Sequence, residues 1–117
     1  MKVCILGNSL TSLTLAKSLV NQGICVDMIP DTKTIRPDKM RTIGISKSNL
    51  NFFNKNILDI ENLTWKIKRI KIFSDHFQDK EILNFQEDNN LFSIVQNSKL
   101  YNILILSLKK NVLFKLK

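Results

Sequence analysis

Residues 1–29 constrain this chain more than any other stretch. Lys2-Val3-Cys4-Ile5-Leu6 is a short apolar run and Gly7-Asn8-Ser9 a turn. From about Ser9 to Asn21, apolar side chains recur at helical spacing. Gly23 then marks the helix end, where glycine readily takes the left-handed backbone conformation. A second apolar run, residues 24–29, begins at once and is interrupted only by Asp27. Leu10, Leu13, Ala16, Leu19 and Val20 share the helix's apolar side, Leu15 lies partly on the other, and Lys17 is its single charge. A helix this weakly polar is expected to be buried, as the crossover helix of a parallel sheet is. The second run suits a central parallel strand. Strand, turn, helix, strand is the order of a βαβ unit.

In dinucleotide-binding βαβ units the turn reads Gly-x-Gly-x-x-Gly. The first glycine allows the tight bend, the second lets a pyrophosphate approach the backbone, and the third lets helix and strand pack closely. Here the pattern is Gly7-x-Ser9-x-x-Ser12. Gly7 keeps the first role, and Ser12 is small enough for the third. Ser9 is the real departure, because its Cβ takes up space, although its hydroxyl can donate to a phosphate oxygen. The helix end still offers free N–H groups and a positive dipole end. Two readings stand open: a pyrophosphate cradle and a purely structural βα turn. An acidic ribose ligand belongs at the end of the second strand. By register that place falls on Pro30, and Asp31 is the nearest carboxylate. Asp31 reads equally well as a turn former after proline.

The remainder alternates between short elements. Residues 30–40, with two prolines and mixed charges, read as a loop. Residues 42–45 are a short apolar patch around Gly44, and Ser46 is a plausible N-cap for a helix over 47–56 with Leu50 and Phe53 inside. Residues 58–64 read as loop or one loose turn. Residues 65–73 alternate as a strand whose phase slips near Arg69-Ile70, which predicts a bulge or an edge crossing there. Residues 82–86 and 91–96 add two strands across a turn-rich Glu87-Asp88-Asn89-Asn90. These three strands predict an antiparallel meander. Residues 98–108 form a second apolar helix, and 111–117 return to strand. The expectation is one α/β domain over 1–117, a Rossmann-like βαβ unit with a small antiparallel insertion. With no helix after the last strand, the pattern reads as truncated.

Composition removes several classes. At 117 residues with 44% hydrophobic content, the chain can build a core, so disorder is excluded. The formal charge of +8 and pI near 9.7 would suit an acidic partner. Its lysines are scattered, however, and no aromatics interleave on a basic face, so nucleic acid is not an expected partner. Cys4 and Cys25 sit in apolar runs and read as small buried hydrophobes, with no metal-ligand spacing. Asn8, Ser9 and Thr11 interrupt the N-terminal apolar run, which argues against a signal peptide. No stretch reaches the roughly 18 apolar residues of a membrane span. A cytoplasmic protein is the expectation. His76 reads as a surface residue, Glu87-Asp88 as a solvated turn, and Trp65 as a cover on the core.

In order, four blocks resemble the N-terminal part of the flavin-dependent aromatic hydroxylases, and most of all the 2-polyprenylphenol hydroxylases of ubiquinone biosynthesis. Val3 to Ser12 is similar to that family's FAD-binding turn. Arg41-Thr42-Ile43-Gly44-Ile45-Ser46, with the helix through Asn49, Leu50 and Phe53, resembles its Arg-x-x-x-(Leu/Ile)-Ser stretch. Ile67-Lys68-Arg69-Ile70-Lys71-Ile72 is similar to the strand opening its substrate-side sheet. Ile94-Val95-Gln96-Asn97-Ser98-Lys99-Leu100 resembles the lead into its next helix.

The resemblance implies FAD as cofactor, NAD(P)H as reductant and a small phenolic substrate. It also leaves open a peripheral association with the inner membrane or a biosynthetic complex. It implies that Gly7, Asn8, Ser9, Leu10, Thr11, Ser12 and Asp31 lie along the ADP half of FAD, and that Arg41 and Asn97 approach the cofactor. A fixed guanidinium pairs well with phosphate oxygens. The blocks span about the first third of a family member. The later Asp-Gly and Gly-Asp motifs are not in this sequence. The chain alone is therefore expected to hold the ADP half at most, and a catalytically inactive nucleotide-binding or interaction module remains the alternative.

Overall fold

A computed structural model describes residues 1–31, 39–76, 80–87 and 90–117. The βαβ unit is present as read. β1 (Lys2–Leu6), α1 (Leu10–Asn21) and β2 (Cys25–Ile29) follow one another, and β1 pairs in parallel with β2 from Lys2↔Cys25 to Leu6↔Ile29. Each end of α1 is set locally. Ser9 is the N-cap, its Oγ accepting from the Ser12 N–H, and Gly23 takes φ +79 just past the C-cap Gln22.

Downstream come β3 (Thr42–Ser46), α2 (Lys47–Asn56), a 3₁₀ turn (Glu61–Leu63), β4 (Thr64–Ile67) and β5 (Arg69–Phe73). β6 (Glu81–Gln86), β7 (Phe92–Gln96), α3 (Asn97–Lys109) and β8 (Phe114–Leu116) complete the described chain. Three sheets result: parallel β1-β2-β8, antiparallel β3-β7-β4, and the β5-β6 hairpin. β2 is central in the parallel sheet, as its apolar run predicts. Ser46 caps α2 by accepting from the Asn49 N–H.

α1 and α3 pack together and against one face of the parallel sheet. Leu13, Ala16, Val26, Met28, Leu104 and Leu108 are fully buried there. Burial of each large side chain contributes roughly 1.5–3 kcal/mol, so this layer holds the fold together. The core continues through Leu50, Ile57, Ile60 and Val95 into the second sheet. Asn21 ties the two parts, its Nδ2 donating to the Asn56 and Ile57 carbonyls at 3.0 and 2.8 Å.

The single meander expected from residues 65–73, 82–86 and 91–96 is replaced by two pairings. The 64–73 ribbon breaks at Lys68, so β4 pairs with β7 while β5 pairs with β6. β3, the short apolar patch, supplies the third strand of the β3-β7-β4 sheet. The phase slip in the sequence marks that break, because the buried side changes where the ribbon leaves the core. A register irregularity also falls at Ile72/Phe73.

Two other expectations are corrected. Cys4 is exposed and Cys25 only half-buried, because their parity in β1 and β2 puts them on the sheet face opposite the helices. Trp65 is half exposed, with the Lys99 ammonium 5.4 Å from its ring centroid. It lies on the outer side of β4 and not over the core. His76 is exposed, as read. Asp88 and Asn89 lie outside the described residues.

Candidate functional site

Ligands of open parallel sheets bind outside the carboxyl ends of the strands, which here means Leu6-Gly7 and Ile29-Pro30. Gly7 has φ +98, a conformation only glycine adopts without strain, and its N–H donates to the Ile29 carbonyl at 2.8 Å. A Cβ at Gly7 would sit an ordinary 3.7 Å from Ser12 Oγ. Backbone conformation, and not space, demands the first glycine. Leu6, Gly7, Ile29, Pro30 and Asp31 line a common cleft of about 380 Å³. The structure thus brings Asp31 and the turn to one opening.

Ser9 has φ −68, so its position needs no glycine for its backbone. Its Oγ accepts from the Ser12 N–H at 3.2 Å and lies 3.1 Å from Ser12 Oγ. The two serines that replace glycines therefore cap the helix together. The Leu13 N–H reaches the Ser9 carbonyl, while those of Ser9, Leu10 and Thr11 precede the helical ladder and have no partner within it. Leu10 itself packs on the core, and Thr11 is exposed. Their contribution to an anion site is their backbone, at the positive end of α1.

Arg41 and Asn97 meet through the main chain. The Asn97 N–H, at the first turn of α3, donates to the Arg41 carbonyl at 3.0 Å, and the Arg41 side chain is exposed. Among the described residues, Asn97 Oδ1 is buried with no hydrogen-bond partner. An orphaned buried acceptor is costly, about 1–3 kcal/mol, and a ligand hydroxyl or amide would satisfy it. One residue escaped the sequence reading. Asn8 Nδ2 donates to the Tyr101 hydroxyl at 3.3 Å, joining the turn to α3 across 93 positions. Its only signal in sequence is a lone tyrosine in an apolar helix, four residues after Asn97.

Asp27 stands apart from this opening, in the middle of β2. Lys2 and Lys117 hold its Oδ2 at 2.7 and 2.9 Å. The hydrogen bonds from Lys2 and then Lys117 lower its pKa, and Asp27 in turn raises that of Lys2. The described residues contain no cluster of three or more His, Cys, Asp or Glu that could hold a metal ion. Nor is any described helix long and apolar enough to cross a membrane.

The turn and its cleft offer backbone N–H donors and a carboxylate, the kinds of group an ADP moiety takes, and Asn97 does not line that cleft. The same fold occurs in FAD-dependent monooxygenases. p-Nitrophenol 4-monooxygenase PnpA from Pseudomonas putida DLL-E4 superposes with a TM-score of 0.79 at 12% identity, over 99% of this chain and 32% of its own. PqsL, a probable FAD-dependent monooxygenase from Pseudomonas aeruginosa, gives 0.78 at 13% identity, over 99% and 32%. Klebsiella pneumoniae HpxO, complexed with FAD and uric acid, gives 0.74 at 15% identity, over 99% and 30%. The chain spans about a third of the length of these structures. No protein-family model matches its sequence, and no curated protein does. The likeness is one of fold: a mixed α/β arrangement built on a parallel βαβ sheet.

Proposed function

We propose that this chain is the FAD-binding N-terminal part of an NAD(P)H- and O₂-dependent monooxygenase acting on a phenolic ring, of the ubiquinone-biosynthesis branch. The observation that carries the reading is the cleft joining Gly7 to Asp31 at the carboxyl ends of β1 and β2, where the chain turns into the N–H groups that begin α1. Gly7 lets the chain turn sharply enough to expose those N–H groups to a pyrophosphate. In this reading Asp31, at the same cleft, would accept from a ribose hydroxyl. As the family resemblance implies, Arg41 would bring a cation toward the phosphates and Asn97 a hydrogen-bond acceptor. When bound, FAD supplies the electron transfer from nicotinamide to oxygen and the oxygen transfer to the ring. Branch and substrate rest on the ordered sequence blocks around Arg41 and Asn97. A peripheral membrane or biosynthetic-complex association belongs to the same reading.

Titrating the purified chain with ADP and with FAD, by calorimetry, tests it. Saturable binding of both, with ADP displacing FAD and no NADH oxidation by the chain alone, is the expected result. Absence of binding by either at millimolar ligand would reject the site.

A further inference from the structure

We propose that Tyr101 is a positioning residue for the nucleotide-binding turn, which it holds through Asn8. The inference rests on the nucleotide-binding reading above and deepens it. The turn is built around Gly7 at φ +98, and glycine's own freedom fixes nothing there. Its neighbours must therefore hold it. On one side the Gly7 N–H is bonded to the Ile29 carbonyl, and on the other Ser9 is committed to capping α1. Asn8 lies between them, and its side-chain Nδ2 donates to the Tyr101 hydroxyl at 3.3 Å.

Tyr101 is well placed to serve as a fixed post. α3 is anchored by Leu100, Leu104 and Leu108, all buried, and the half-buried Tyr101 ring packs against the same core. Four residues earlier, about one turn away and on the same face, the Asn97 N–H holds the Arg41 carbonyl. The N-terminal half of α3 therefore carries two tethers: one to the anion-facing turn and one to the backbone at Arg41, just before β3. A single rigid element sets the spacing between the turn that leads into α1 and the backbone of Arg41. The phenol ring serves the core, whereas the hydroxyl serves the turn.

That division makes Tyr101→Phe the decisive variant of the full chain, because it keeps the ring and removes only the hydroxyl. The expected result is a melting temperature within about 2 °C of the parent. Amide hydrogen exchange at Gly7, whose N–H is bonded to the Ile29 carbonyl, followed by NMR, should quicken roughly five- to tenfold, the factor one lost hydrogen bond gives. ADP affinity should fall by a similar factor, and Asn8→Ala should produce the same changes with no additive effect in the double variant. Unchanged exchange at the Gly7 amide, or additive effects of the two substitutions, would overturn the proposal. A melting temperature lowered as far as in Tyr101→Ala would also overturn it, because the hydroxyl would then be part of the structural core. If the parent chain binds no ADP, the functional reading fails while the exchange measurement still decides the role of Tyr101.

Discussion

The parallel sheet and the β5-β6 hairpin are built from similar apolar residues and have opposite surroundings. In the first, Val26, Met28, Leu104 and Leu108 are fully buried between strands and helices. In the second, Ile70 opposes Phe85 and Ile72 opposes Leu83, so one face of the ribbon is apolar, yet Ile72, Leu83 and Phe85 remain 43–49% exposed. Its other face carries the Lys71–Glu81 pair at 3.7 Å and the bonds from Arg69 to Gln86. Alternation alone forms a hairpin, but a two-stranded ribbon is marginal without a packed face. The contrast teaches that the candidate site stands on the rigid part of the molecule.

The largest test of this contrast is Leu104→Ala. Leu104 is fully buried at the α1–α3 contact, so the truncation should cost about 2–5 kcal/mol, read as a lower urea midpoint for the whole chain. Next in size is Gly7→Ala. Its strain at φ +98 should cost about 1–2 kcal/mol, and calorimetry should show ADP binding reduced far more than stability.

A smaller, pH-dependent effect lies on the bare face of the parallel sheet. Lys2 and Lys117 hold the Asp27 pKa below its ordinary value, so the ion pairs stabilise the fold fully above about pH 4. That contribution is lost as pH falls from there through the folded pKa. Asp27→Asn should therefore flatten the acid limb of a melting-temperature profile below pH 4. A parallel acid loss in both proteins would assign it to other carboxylates.

Smallest is Phe85→Ser in the hairpin, expected to move the global midpoint by no more than about 0.5 kcal/mol. Hydrogen exchange should likewise be fast across β5-β6 and slowest in α3. If Phe85→Ser destabilised the chain as much as Leu104→Ala, the two regions would share one core and the comparison would break.

What the sequence by itself determined is short-range. The Gly7 turn, the Ser9 and Ser46 caps, the Gly23 stop and the apolar periods of α1 and α3 are set by residues within a few positions of one another. Those elements stand where the pattern puts them. Parity could show that Cys4 and Cys25 alternate with apolar neighbours, but not which sheet face the helices would cover. Only the tertiary structure decided that, and it left both cysteines on the side without helices. The break at Lys68 is of the same kind, because β7 and β6 compete for one ribbon from distant positions in the chain. So are the tethers from Tyr101 to Asn8 and from Asn97 to Arg41, which join groups 93 and 56 positions apart. Local propensity has no information about such meetings. The first tether exists because packing of α1 on α3, driven by buried leucines, brings the turn within reach of Tyr101; the second continues the β3–β7 ladder one position past Thr42↔Gln96.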